Sequence, residues 1–426
     1  MTSFLVRGPT RLSGHFEPAG NKNATLPIIA ACLLTEEPVT LHNVPQIGDV
    51  GSLLAILEDM GARIEHLAPR TIRITCNGVT TSDISVERAT KIRASILLAG
   101  PAVARFGEVV IPPPGGDVIG RRRIDTHVRG LEGLGAHYRF VNGHRFRAGT
   151  LKGSVVFLDE PSVTATENLI MAAVLAEGTT TIENAACEPH VQDLCGFLNT
   201  LGARITGIGS NILKIHGVDR LGGGVHTICP DHIEVGSVMA LAAVTRSPIT
   251  IGGVPPDTFK PIGLAWQRLG IDYEFLPDDQ VRMSADPGLA VQTDLGGAIP
   301  KIEDGPWPSF PADLTSIALV AATQADGSIM IHEKMFESRM FFVDRLIAMG
   351  ARIVLCDPHR AVVVGPASLR PSRMASPDIR AGMALLIAAL VADGESRIDH
   401  AEQIERGYEA IDRRLCALGA DIERTA

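Results

Sequence analysis

Leu198-Asn199-Thr200-Leu201-Gly202-Ala203-Arg204-Ile205 is the stretch whose reading decides the fold. It is the end of an amphipathic helix, a glycine, and the start of a strand. Glycine at that point supplies the left-handed residue that stops a helix and redirects the chain. The same step recurs at Met60-Gly61, Leu134-Gly135, Leu269-Gly270, Met349-Gly350 and Leu418-Gly419. Six copies spaced by roughly 70 residues predict a chain built from one repeated supersecondary unit.

A second signature runs in phase with the first. Met171-Ala172-Ala173-Val174-Leu175 precedes the β-branched run Thr179-Thr180-Thr181-Ile182, and Met239-Ala240-Leu241-Ala242-Ala243 precedes Pro248-Ile249-Thr250-Ile251. Equivalent pairs start near Ala30, Ala94, Leu319 and Leu385. These helices carry almost no charge, so burial on all sides is expected, whereas the helices that end in Leu-Gly have one wet face. The expected class is α/β: a two-domain inside-out α/β barrel of six repeated units, three per domain.

The chain of 426 residues exceeds the size at which one core keeps growing. The expected division gives residues 22–229 to one domain and 1–21 plus 230–426 to the other, with Cys229-Pro230-Asp231 at the break and the strand around Phe4-Leu5-Val6 completing the second. The active site is expected in the cleft between them. A net charge of −9 argues against a nucleic-acid binder. Seven scattered cysteines without a CxxC pair fit buried thiols in a reducing compartment. The apolar run from Ala381 to Ala392 is too short to span a bilayer, and residues after Met1 lack a signal-peptide core. A cytoplasmic protein without membrane insertion is the expectation. The sequence has no GxxxxGK[ST], HExxH or GxSxG, and its thirteen histidines form no ligand-like cluster, so neither cofactor nor metal is expected.

The densest local chemistry is Pro112-Pro113-Pro114-Gly115-Gly116-Asp117-Val118-Ile119-Gly120-Arg121-Arg122-Arg123-Ile124-Asp125-Thr126-His127. Proline and glycine make it a loop able to approach a ligand closely, with one carboxylate beside three guanidinium groups. Further cations stand near helix starts and strand ends: Lys22, Arg93, Arg339, Arg380 and Arg406. Arginine captures carboxylate and phosphate in a bidentate fashion, so the set suggests a small polyanionic substrate. His127 is as well suited to orienting the loop as to touching substrate.

Five segments, in order, resemble the enolpyruvyl transferases: Gly20-Asn21-Lys22-Asn23-Ala24, Pro114-Gly115-Gly116-Asp117, Thr181-Ile182-Glu183-Asn184-Ala185-Ala186, Phe310-Pro311-Ala312-Asp313 and Glu405-Arg406-Gly407-Tyr408. The resemblance spans essentially the whole chain and is strongest to the amino-sugar branch. It implies phosphoenolpyruvate and UDP-N-acetylglucosamine as substrates, with a 3′-hydroxyl adding to C2 while C3 is protonated, then loss of phosphate. In cells this is the first committed step of peptidoglycan synthesis.

Carried over by motif, Asp117 falls at the general-acid position and Asp313 at the position that meets the reacting hydroxyl. Lys22, Arg122 and Arg406 fall at phosphate-binding positions, with Arg93, Arg339 and Arg380 completing a cationic wall and Asp378 beside it. Asn23 falls where the sugar is met. Arg122, Arg123, Ile124, Asp125 and Thr126, with Ser162 and Val163, match segments that hold the nucleotide, and Met335 falls at a backbone contact to it. Two departures stand out. Asp117 replaces the cysteine that fosfomycin alkylates in many members, so resistance to the drug is expected. Glu160 stands where some members have lysine. An aspartic acid with pKa ~3.9 is mostly ionised at neutral pH, so an acid-shifted optimum relative to a Cys variant is expected. The shikimate 3-phosphate branch, another acceptor sugar, and a non-catalytic nucleotide-sugar binder are the alternatives.

Overall fold

All six Leu/Met-Gly steps terminate a helix in the same way. The glycines have φ of 106° (Gly61), 94° (Gly135), 102° (Gly202), 70° (Gly270), 101° (Gly350) and 109° (Gly419). At Gly202 the glycine N–H donates to the Asn199 carbonyl at 3.1 Å, and the Ala203 N–H reaches back to Leu198 at 3.0 Å. The same pair of bonds occurs at the other five. They satisfy carbonyls that the end of a helix leaves without partners, and the chain leaves directly into a strand. The computed structural model describes residues 2–117, 119–286 and 288–425.

The chain forms two compact units. The first comprises 20–117 and 122–229, the second 1–19, 118–121 and 230–426. Gly20 and Asn21 therefore group with the first unit, and Ile119 to Arg121 with the second, where the sequence reading had the reverse. Each unit carries three small sheets of one design. In the first unit the strand order is 204–206, 212–216, 179–183, 155–157 in one sheet and 63–68, 71–75, 39–42, 224–227 in another. The third has 137–140, 144–147 and 108–111, with a parallel bridge from Asp83 to Val110 in place of a fourth strand. The second unit repeats the order as 421–425, 3–8, 394–399, 373–375; as 273–276, 280–283, 249–251, 14–16; and as 352–357, 360–365, 327–332, 301–303.

Three repeats per unit are thus as the sequence predicts, but the word barrel needs correction. Among the described residues every sheet is open, with two edges, so the helices are enclosed by three separate sheets rather than by one closed sheet. In each of the five four-stranded sheets the last strand of the order runs parallel to its neighbour, which a helical crossover permits. Two of these parallel strands are exchanged. Gly14–Phe16 precedes the helix Lys22–Ala31 but pairs with Ile249–Ile251, and Gly224–Thr227 precedes the helix His232–Val244 but pairs with Val39–His42.

The helices that carry almost no charge are the core. Every residue of His232–Val244 is buried, as is every residue of Ile379–Val391 except Val391. The two hydrophobic cores are separate, one built around Leu26 to Ile228 and the other around Phe4 to Ile422. Leu-Gly helices such as Pro189–Thr200 bury one face only, with Val191, Leu194, Phe197 and Leu198 inward. No helix among the described residues is long and apolar enough to cross a membrane.

Candidate active site

In the first unit Lys22 is the first residue of its helix, which Asn21 caps by accepting the Ala24 N–H at 3.0 Å. Its ammonium group sits 2.8 Å from the Asp49 carboxylate, with both side chains about nine-tenths buried. Asp49 was not singled out from the sequence, because only the fold brings the helix Gly48–Asp59 beside Lys22. Removing one partner of a buried pair leaves a desolvated charge behind, so Asp49→Ala should cost about 3–5 kcal/mol of stability. Denaturant unfolding would register this as a lowered midpoint. Asn23, next along, is the one residue of that helix that is not fully buried.

The Pro-Gly-Gly-Asp loop lies against the segment that carries Arg93. A Cβ on Gly115 would fall 1.7 Å from the Thr90 carbonyl oxygen, and one on Gly116 would fall 2.8 Å from Arg93 Cβ and 3.2 Å from an Arg122 guanidinium nitrogen. Gly116 also has φ of 103°. The two glycines are therefore a requirement of close approach, and they bring Arg93, Arg122 and the half-buried Asp117 into one neighbourhood. Arg93 donates to the backbone carbonyls of Arg122 and Arg123, at 3.0 Å each. Burial, reinforced by the like charge of Arg122, lowers the Arg93 pKa to about 10. An anion arriving there would relieve both costs. Val118 lies outside the described residues. In the second unit the Arg121 N–H donates to the Glu337 carboxylate at 2.9 Å, and the Ser338 N–H to the Ile119 carbonyl at 3.2 Å.

The residues expected to hold a nucleotide surround two helix starts. Ile124 precedes the helix Asp125–Gly133, and Ser162 precedes the helix Val163–Ala173. Arg123 bridges Asp125 and Asp159 at 3.2 Å each and approaches Glu160 at 4.0 Å. Thr126 donates to Asp159 at 2.9 Å. His127 fixes the two helices together, lying 3.1 Å from the Thr164 hydroxyl and 2.9 Å from the Asn168 amide nitrogen. Burial, then Arg93 and His144, lower its pKa to about 3, so the ring is neutral. Its ring thus ties the helix that follows the loop to the helix Val163–Ala173.

In the second unit Asp313 lies between two arginines. Arg339 donates to Oδ1 at 3.1 Å, and Arg380 donates to Oδ2 at 3.2 and 2.8 Å. Both guanidinium side chains are at most 5% exposed, and Asp313 is 25% exposed. Burial opposes the charge on each arginine, but Asp313 offsets it and both pKa values are raised. Asp378 caps the helix Ile379–Val391 by accepting the Arg380 and Ala381 N–H groups, which aims the Arg380 stem. Tyr408 lies under the Arg380 guanidinium, 5.2 Å from ring centroid to Cζ, and its hydroxyl is 2.9 Å from that of Ser237. Arg406 donates to Gln403 at 3.0 Å. The Met335 N–H donates to Asp304 at 3.3 Å.

The described residues hold no group of three or more His, Cys, Asp or Glu placed to bind a metal ion. Buried arginines beside an acceptor carboxylate in one unit, and a glycine-borne carboxylate among arginines in the other, are the equipment of a transferase acting on anionic substrates. The chain belongs to the EPSP synthase (3-phosphoshikimate 1-carboxyvinyltransferase) family, whose model matches residues 6–415. Among its relatives is the UDP-N-acetylglucosamine 1-carboxyvinyltransferase of Bradyrhizobium diazoefficiens, 58% identical over 421 residues, covering 99% of this chain and 97% of that protein. Proteins of the same name in Treponema denticola and Bacteroides thetaiotaomicron are 54% and 50% identical, with 99% and 100% of each chain covered. Two solved structures share the fold. The enolpyruvyl transferase NikO from Streptomyces tendae matches with a TM-score of 0.88 at 23% identity, over 100% of this chain and 99% of that one. EPSP synthase from Acinetobacter baumannii matches with a TM-score of 0.77 at 18% identity, over the full length of both.

Proposed function

We propose that the protein transfers the enolpyruvyl group of phosphoenolpyruvate to the 3′-hydroxyl of UDP-N-acetylglucosamine with release of phosphate, the first committed step of peptidoglycan synthesis. The reading is carried by Asp313, an acceptor carboxylate held by two buried arginines. Full-length relatives at 50–58% identity bear the name of that activity. In this reading Asp117 delivers a proton to C3 of phosphoenolpyruvate while the sugar oxygen bonds to C2 and its proton passes to Asp313. The tetrahedral adduct then returns one proton of its C3 methyl group to the Asp117 carboxylate as the C2–O bond to phosphate breaks.

Lys22, Arg93, Arg122 and Arg406 serve the phosphate and carboxylate of phosphoenolpyruvate, and Arg339 and Arg380 hold Asp313 and complete the cationic wall. Asn23, Arg123 to Thr126, Ser162, Val163 and the Met335 backbone serve the nucleotide sugar, with Asp378 supporting Arg380. Negative charge building up in the adduct is met by preplaced cations, which need not reorganise during the step. Soluble substrates and the absence of a spanning helix among the described residues support a cytoplasmic enzyme.

Asp117 in place of a thiol makes the enzyme insensitive to fosfomycin, because a carboxylate is a poor nucleophile towards the epoxide. The family model's own description favours a second acceptor, shikimate 3-phosphate. Phosphate release from phosphoenolpyruvate, measured with each acceptor in turn, separates the two. Turnover with the nucleotide sugar alone is expected; turnover with shikimate 3-phosphate alone would overturn the acceptor assignment.

A further inference from the structure

Two carboxyl groups outside this set meet in the interior of the second unit. Asp304 follows the strand Lys301–Glu303, and Glu333 follows the neighbouring parallel strand Gly327–His332. The register pairs Glu303 with His332, so the next residues, Asp304 and Glu333, emerge side by side at the carboxyl ends of the strands. Both are 0% exposed. Such strand ends are where α/β proteins place functional groups.

Between them the two carboxyls hold the turn that follows. Asp304 accepts the N–H of Lys334 and, at 3.3 Å, that of Met335. Glu333 Oε1 accepts the N–H of Phe336 at 3.2 Å. The turn ends at Arg339, whose Nε lies 3.6 Å from Glu333 Oε2 while its terminal nitrogen holds Asp313 at 3.1 Å. Glu333 Oε2 has no hydrogen-bond partner among the described residues, although it is sealed from water. A buried carboxylate oxygen facing a second carboxylate is costly, and one proton between the two removes the cost.

We propose that Glu333 and Asp304 share one proton, and that the protonated pair is a positioning device holding the turn 334–339, and with it the Met335 backbone and the Arg339 guanidinium, in register for the anionic substrate. Neither carboxyl touches the reacting atoms. With Glu333 ionised, Arg339 would face Glu333, Asp313 and Asp378, with Arg380 as a neighbouring like charge. The charged and titratable groups around Glu333 are Arg339, Asp304 and, through its backbone and ring, His359. Burial raises the Glu333 pKa; Arg339 opposes and Asp304 reinforces, and the result is about 9. A carboxyl raised in the folded state contributes stability that is whole below its unfolded pKa and is lost as pH climbs through the folded one.

The test compares the wild type with Glu333→Gln and Glu333→Ala by urea unfolding and by steady-state kinetics, from about pH 6 to about pH 10. Glutamine keeps the shape, and its amide donates to Asp304 without a titrating proton. The wild-type unfolding constant should rise roughly tenfold per pH unit relative to Glu333→Gln below pH ~9. The wild-type KM for UDP-N-acetylglucosamine should climb at the alkaline end while that of Glu333→Gln stays flat, and Glu333→Ala should have a raised KM throughout. Parallel stability profiles for wild type and Glu333→Gln would overturn the shared proton. A KM in Glu333→Ala equal to that of the wild type would overturn the positioning role. The kinetic arm rests on the acceptor assignment above and the unfolding arm does not, so a wild type inactive on this sugar would sink that assignment and leave the stability result to decide the pair.

Discussion

Asp313→Asn should reduce kcat by about 10²–10⁴-fold while the protein stays folded. The reason is the placement of the carboxylate. Its two oxygens accept three guanidinium N–H bonds, from Arg339 and Arg380, which fixes the direction in which it can accept a proton. Asparagine keeps one acceptor oxygen and nearly the same volume, but it presents an N–H₂ group to one arginine and is no base. Asp313→Ala should show the structural half of the effect as well. It strands two guanidinium groups that are 3% and 5% exposed, at a cost of about 3–5 kcal/mol. Urea unfolding alongside steady-state kinetics separates the two: a Glu or Asn variant with full stability and low kcat supports the proton-accepting role. An Asn variant with undiminished kcat would remove Asp313 from the chemistry.

The second large effect is at Asp117. Asp117→Asn removes the exchangeable proton and should lower kcat by about 10²–10⁴-fold. Asp117→Cys should keep activity, move the basic limb of the pH–rate profile to higher pH, and become subject to time-dependent inactivation by fosfomycin. The sign follows from the proton: an acid must hold it to act, and an ordinary thiol holds it to pH ~8.5 while an ordinary aspartic acid holds it to pH ~3.9. An unmoved basic limb in the Cys variant would show that Asp117 is not the group that titrates. Continued insensitivity to the drug would show that the side chain at this position does not face the epoxide.

The repeat was legible because it is local. A helix stop needs only a glycine and the leucine or methionine directly before it, so Gly202 and its five equivalents announce themselves at short range, and φ at each is left-handed. The burial of His232–Val244 was legible for a similar reason, since thirteen consecutive residues lack a wet face. The exchange of Gly14–Phe16 and Gly224–Thr227 was not legible. Each is a short edge strand, and an edge strand records in its sequence that it pairs, not with which strand.

The site divides along the same line. Arginines and glycines cluster along the chain, so Arg93, Arg122 and the Gly115-Gly116 pair could be read from spacing. Their counter-ions could not. Asp49 lies far from Lys22 in sequence, and Asp304 and Glu333 become neighbours only through the parallel register of two strands. The sequence does carry one faint signal there: Asp304 directly follows a strand, where an acidic residue is poorly placed unless something satisfies it. Arg380 shows both halves at once. Its cap, Asp378, is two residues away and readable, whereas Tyr408 beneath it is supplied by the fold.

The most direct test of the account is to run the reaction of phosphoenolpyruvate with UDP-N-acetylglucosamine in D₂O and follow C3 by NMR. Addition followed by elimination passes through a methyl group, so the account predicts deuterium in the vinylic CH₂ of the enolpyruvyl ether, and its loss in Asp117→Asn. An ether formed without deuterium at C3, or no ether at all, would contradict it.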